Sequence, residues 1–181
     1  AFAERWQFER HYGSYEEMVN DPKVELVYIA SPHSHHYEHA RLCLTHGKHV
    51  LVEKAFTVNA VQAQELIHLA AEKKLLLAEA IWTRYMPSRK MIDDLVESGV
   101  IGKITSLTAN LGYVLPHIER MQKPELAGGA LLDLGVYPIN FALMVFHEEV
   151  EQVTSTAVMS PAGVDWINSI TLTFRDGRVA V

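Results

Sequence analysis

This sequence predicts an α/β chain in two parts: a partial doubly wound parallel sheet, then an α+β unit with a mostly antiparallel open sheet. Three observations carry that reading. Short apolar strand-like runs alternate with helical patterns as far as about residue 81. A helix bracketed by Pro87 and Gly99 then breaks the repeat. Beyond it strands dominate, and near the end the apolar positions alternate with polar ones.

Taken in order, Leu26, Val27, Tyr28, Ile29 and Ala30 form a short run rich in β-branched and aromatic residues. Such a run predicts a strand buried on both faces of a parallel sheet. Residues 35–46 carry Tyr37, Ala40 and Leu44 at helical spacing, and Gly47 stands where a left-handed residue ends a helix. Strand returns at His49–Val52. Asn59, with Gln62 three residues on, predicts a capped helix start, and Ala63, Leu66, Ile67 and Ala70 form its buried stripe. Residues 75–78 are the next strand. Strand-helix repeats of this length force parallel neighbours, because each crossover returns to the same edge of the sheet.

Met91, Ile92, Leu95 and Val96 give the helix between Pro87 and Gly99 its apolar stripe. Ile170, Leu172 and Phe174 alternate with Thr171 and Thr173, and Asp176-Gly177 predicts a two-residue hairpin leading into Val179. The expected division is therefore residues 1–82 and residues 83–181. Residues 1–8 read as the tail of a helix and residues 178–181 as an interrupted strand, so the chain is expected to be a piece of something longer.

The 181 residues are 49% hydrophobic and 21% charged, a composition that supports a substantial core and excludes disorder. A net charge of -6 without any concentrated Lys and Arg stretch argues against a nucleic-acid partner. No apolar run approaches the roughly 20 residues of a membrane helix, so no membrane partner is expected. The one cysteine, Cys43, forms no intrachain disulfide and suits a reducing, cytoplasmic compartment.

In an open parallel sheet, ligands bind beyond the carboxyl ends of the strands. Three polar clusters fall there: Ser31-Pro32-His33-Ser34-His35-His36, Glu53-Lys54-Ala55, and Glu79-Ala80-Ile81-Trp82-Thr83-Arg84. Lys54 stands just behind an apolar strand, after Glu53, where an ammonium polarises a substrate oxygen, unless it is a solvated loop lysine paired with Glu53. Asp133 and Tyr137 stand four apart and share a face if their stretch is helical. A tyrosine hydroxyl can pass a proton to a carbonyl oxygen as hydride reaches carbon. The structural alternative is a capping Asp133 and a packed Tyr137. Trp82 reads equally as a wall of a substrate pocket or as a core tryptophan. His33, His35, His36 and His39 invite a metal site, with Glu38 the one acidic residue and no thiol among them, but a helix start suits a bound phosphate or cofactor group better than a protonated imidazole.

Together these residues resemble the glucose-fructose oxidoreductase, inositol dehydrogenase and rhizopine-catabolism (Gfo/Idh/MocA) family, and the stretch from Glu79 to Arg84 looks most like its dihydrodiol dehydrogenase branch. The resemblance rests on Tyr28-Ile29-Ala30-Ser31-Pro32 with His36, on the segment from Gly47 to Lys54, and on the segment from Gly128 to Tyr137, in that order. It implies a Rossmann-type first domain and NAD or NADP as cofactor. Ser31, Pro32, His36, Glu53 and Lys54 would line the nicotinamide and ribose, with His33, Trp82 and Arg84 completing the cofactor-binding set. Tyr137 would be the acid-base residue, assisted by Lys54, with Asp133 beside it.

Inositol dehydrogenases carry His where Tyr137 stands, so the implied small-molecule substrate is a sugar, polyol or cyclic diol, or its carbonyl form. The family also implies a homodimer or homotetramer built through the second domain's sheet. Its Gly-rich dinucleotide turn is not in this sequence and is expected before Ala1. Ala55 stands where the family has proline, and because a cis bond costs about 2.5 to 4 kcal/mol without proline, the Lys54-Ala55 bond is expected to be trans. The alternative function is a non-catalytic NAD(P)-binding regulator of the same fold.

Overall fold

The computed structural model describes residues 2–114 and 117–181. By contact the chain forms two compact units, one holding the residues up to Ser31 together with His35–Glu79, the other holding Pro32–Ser34 together with Ala80–Val181.

The first unit is built on three parallel strands in the order β1 (Leu26–Ile29), β2 (His49–Val52), β3 (Leu77–Glu79). Val27 pairs with Val50 and Ile29 with Val52, so one register puts four apolar side chains on one face. Helices α3 (His36–Thr45) and α4 (Ala60–Lys73) cover that face, contributing Ala40, Cys43, Leu44, Leu66 and Ala70 to a core joined by Val19 of α2 (Tyr15–Asn20). Short α1 (Phe2–Arg5) precedes them. Gly47 ends α3 at φ +74°, and Asn59 caps α4 by accepting the Gln62 N–H at 3.0 Å, both as the sequence predicts.

Two local expectations fail here. Leu26 and Tyr28 are exposed, so β1 is buried on one face rather than two, its helices all lying against the side of Val27 and Ile29. Ile67 is also exposed, because the apolar arc of α4 runs through Leu66, Leu69 and Ala70, one position round from the predicted stripe.

In the second unit a 3-10 turn at Trp82–Tyr85 leads into α5 (Pro87–Glu97). Met91 and Leu95 of α5 are exposed, and only Ile92 and Val96 turn inward. The sheet has the order β4 (Ser106–Leu107), β7 (Val179–Ala180), β6 (Asp165–Phe174), β5 (Val150–Met159). It is mixed, since β4 runs parallel to β7 while the other pairs are antiparallel.

Helix α6 (Val136–Phe146) packs Ala142, Val145 and Phe146 against Leu172, Phe174 and Ala180. Phe174 is fully buried and meets Phe146 edge to face, with ring centroids 4.7 Å apart. The Asp176-Gly177 turn closes a loop of three residues rather than two. The Phe174 N–H donates to the Arg178 carbonyl at 2.9 Å, and Gly177 adopts φ +85°, the left-handed position such loops require.

One run does reach membrane-helix length and apolarity, contrary to expectation: Pro124–Phe146. It is not one continuous α-helix. Ala127 and Gly129 have φ of +53° and +110°, and α6 itself has 11 residues, about 16 Å of rise.

Candidate functional site

The carboxyl ends of β1 and β2 carry the first unit's polar groups. Val27 and Ile29 on β1, and Val50 and Val52 on β2, anchor these strands in the core, so the residues that follow emerge at fixed positions. His36 opens α3 and is fully buried, with Nδ1 2.7 Å from the Ala55 carbonyl and Nε2 2.8 Å from the Ser31 carbonyl. His36 thus lies between the loop after β1 and the loop after β2, one ring nitrogen facing a carbonyl of each. Ser31 Oγ lies 3.0 Å from His39 Nδ1, and burial together with the neighbouring imidazoles of His35 and His36 holds His39 below the usual histidine range.

Glu53 is oriented at both oxygens. The Tyr28 hydroxyl donates to Oε1, and the Lys54 backbone N–H donates to Oε2 at 3.1 Å. The Glu53 hydrogen bond, followed by burial, raises the Tyr28 phenol above its usual value. Lys54 is half-buried.

The Lys54-Ala55 peptide is cis, which corrects the trans expectation. The preference for trans belongs to an isolated peptide, whereas here the groups on either side are held by tertiary bonds. Ala55 is buried, its carbonyl meets His36, and the Phe56 N–H donates to Glu79 Oε1 at 2.8 Å.

The second unit gathers a separate set. His33 is buried, with Nδ1 3.0 Å from the Ala127 carbonyl and Nε2 3.9 Å from Asp133 Oδ1. The same Asp133 oxygen accepts from Arg120 Nη2 at 3.0 Å. Asp133 stands in a π-helical turn, Leu131–Gly135, whose first N–H is received by the Asp165 carboxylate at 2.6 Å. The glycines ahead of it have a steric reason. A Cβ on Gly128 would lie 2.5 Å from the Arg120 carbonyl and 2.7 Å from that of Met121, so only glycine lets these backbones approach.

Tyr137 follows in α6 and is half-buried. Its oxygen accepts the Trp82 indole N–H at 3.0 Å, with the two rings near edge to face at a centroid separation of 6.2 Å. Tyr137 also lines a pocket of about 250 Å³ with Thr83, Asn110, Leu111, Pro138 and Met144. Trp82 and Arg84 are both exposed, in the turn that leads to α5.

Asp133 and Tyr137 thus sit in one continuous helical stretch, each with its own polar partners: Arg120 and His33 for the carboxylate, Trp82 for the phenol. Tyr28 and Arg120 have no role in the sequence reading, and Glu79 only a place in the polar cluster at the end of β3. Tyr28 reads there as one more apolar strand position, and Arg120 falls in the irregular segment 113–126, of which Leu115 and Pro116 lie outside the described residues. No pattern of spacing marks either. Among the described residues, no three His, Cys, Asp or Glu side chains group as metal ligands.

The donor set suits a nicotinamide nucleotide. Ser31 and Glu53, at the ends of parallel strands, offer the hydroxyl and carboxylate that ribose hydroxyls and a carboxamide pair with. Comparison with known proteins points the same way. Residues 1–80 match the family model described as "Oxidoreductase family, NAD-binding Rossmann fold", and residues 90–181 match "GFO/IDH/MocA C-terminal domain".

The chain is 38% identical over 181 residues to trans-1,2-dihydrobenzene-1,2-diol dehydrogenase of Danio rerio, covering 99% of this chain and 54% of that protein. It is 47% identical over 152 residues to D-xylose 1-dehydrogenase (NADP(+)) of Hypocrea jecorina, covering 78% of this chain and 39% of that protein. Among solved structures it resembles KijD10, a 3-ketoreductase from Actinomadura kijaniata in complex with NADP and TDP-benzene, with a TM-score of 0.86 and 32% identity over 99% of this chain and 55% of that one. The chain spans about half the length or less of these relatives.

Proposed function

Because the chain belongs to the Gfo/Idh/MocA oxidoreductase family, we propose that it is part of an NAD(P)-dependent enzyme acting on a sugar, a polyol or a cyclic diol, or on the matching carbonyl compound. The observation that carries this reading is Tyr137 at the wall of a small, largely apolar pocket of about 250 Å³. A space of that size suits one ring or a short carbon chain. The nicotinamide, when bound, supplies or takes up the hydride.

The protein's residues handle the proton and the charge. In the reducing direction the Tyr137 O–H bond breaks and its proton goes to the substrate carbonyl oxygen. The Lys54 ammonium assists by favouring negative charge on oxygen. Asp133, buried and held by Arg120 and His33, is fixed in place in the turn before α6. Ser31 and Glu53 bind the nucleotide's polar edge, and Pro32, His33, Trp82 and Arg84 belong to the same proposed cofactor set. His36 acts by sitting between two strand-end loops, one ring nitrogen facing a carbonyl of each.

The reading extends to a homodimer or homotetramer through the second unit's sheet, supported by the exposure of β5 along nearly its whole length. It also includes a cytoplasmic location, supported by a single buried, unpaired cysteine. The test is nicotinamide reduction by the full-length protein against a panel of sugars, polyols and trans-dihydrodiols. Turnover is expected, and Tyr137→Phe should lower kcat by about a hundredfold or more while cofactor affinity stays the same. Cofactor binding without turnover on any substrate, or an unchanged rate in Tyr137→Phe, refutes the proposal.

A further inference from the structure

We propose that Trp82 is a positioning residue for the reaction, and that its indole N–H holds the Tyr137 oxygen so that the phenol proton is directed at the substrate. The inference rests on the reading of Tyr137 as the acid-base residue. It starts from the chemistry of one contact. An indole nitrogen only donates, so in its 3.0 Å bond to the Tyr137 hydroxyl the phenol oxygen must be the acceptor. The hydroxyl proton cannot lie along that line. It must occupy another direction around the oxygen, and Tyr137 borders the pocket that also includes Thr83, Asn110 and Leu111. The edge-to-face contact of the two rings limits rotation of both, with an interplanar angle of 64°.

The backbone around Trp82 is built to hold the indole there. Ile81, immediately before it, is buried, and the Arg84 N–H closes the turn on the Ile81 carbonyl at 2.9 Å. Pro87 then starts α5. Trp82 is 56% exposed, so it is not a core anchor whose removal leaves a cavity. Its polar bond to Tyr137 is the feature that burial does not explain.

The consequence for the reaction follows from charge. As the carbonyl substrate takes hydride from the reduced nicotinamide, the Tyr137 O–H bond breaks, a new O–H bond forms on the substrate oxygen, and the electron pair stays on the phenol oxygen. A neutral acceptor becomes a charged one while the indole N–H stays in place, and hydrogen bonds to charged acceptors are the stronger kind. The bond therefore gains strength along the reaction coordinate, which lowers the barrier rather than tightening substrate binding.

Two measurements on the full-length protein test this. In steady-state kinetics Trp82→Phe keeps an aromatic ring and loses the N–H. It should lower kcat by about tenfold with KM within about twofold, and in a Tyr137→Phe background the same change should have no further effect on kcat. In nitrogen-15 spectra, the Trp82 indole N–H resonance should move on Tyr137→Phe while those of Trp6 and Trp166 stay in place. A normal kcat in Trp82→Phe, an effect confined to KM, or an indole resonance indifferent to residue 137 overturns the proposal. If Tyr137→Phe is inactive while Trp82→Phe is normal, only this inference falls. If Tyr137→Phe is fully active, the acid-base reading falls first.

Discussion

Replacing Arg120 with Met should destabilise the protein more than replacing Asp133 with Asn, and the two changes should not add. The structure supplies the magnitude. Asp133 is 5% exposed, and its Oδ1 lies 3.0 Å from the Arg120 guanidinium. At that separation two unit charges attract by about 5.5 kcal/mol if the effective dielectric constant is about 20. Most of this is offset by desolvation of the carboxylate. The guanidinium is 44% exposed, so water screens it further. A net coupling of about 1 to 2 kcal/mol remains, in the range of a charge-assisted hydrogen bond.

The asymmetry has a separate cause. Arg120→Met leaves a buried carboxylate with one charged neighbour fewer, whereas Asp133→Asn leaves an oxygen acceptor in place and an arginine that reaches solvent. Urea unfolding of the wild type, both single variants and the double variant gives the coupling directly, provided the slopes agree. A coupling below about 0.5 kcal/mol, or equal costs for the two single changes, would refute the argument.

Phe174→Ala should cost about 3 to 5 kcal/mol in the same assay, because it empties a fully buried position facing Phe146; a loss under about 1.5 kcal/mol would show that the site collapses around the change. Acid should probe Asp21. Its carboxyl is lowered to about 2 by the Lys23 backbone N–H, the Tyr12 hydroxyl and the Arg10 guanidinium. A folded-state value below the unfolded one, about 3.9, means that Asp21 contributes its full stability above that value and loses it as pH falls toward 2. Asp21→Asn should therefore flatten the stability profile between about pH 4 and pH 2, and an unaltered profile in chemical denaturation would refute the assignment.

The parallel first half was legible because period and punctuation agree. Four apolar strand residues, a helix with Asn59 as its cap, and Gly47 at a left-handed position state the same answer at each level, and the structure follows them. Ile67, Met91 and Leu95 are exposed despite their helical spacing, because spacing places a residue on an arc and only packing decides which part of the arc is covered. Lys54 is marked in the sequence by its place behind an apolar strand, Asp133 and Tyr137 by their spacing of four, and the roles of all three by the family resemblance.

Local sequence thus determined the elements, their order and the chemical types of the candidate site, since propensity, capping and hydrophobic period act over a few residues. The partners were decided by the fold. Arg120 meets Asp133 across 13 positions, Tyr28 meets Glu53 across 25, and Trp82 meets Tyr137 across 55. So was the isomer of the Lys54-Ala55 bond, where the carbonyl of Ala55 meets His36 from another element. Hydrogen bonds of that reach depend on where the backbone brings two groups, and no local pattern encodes that position.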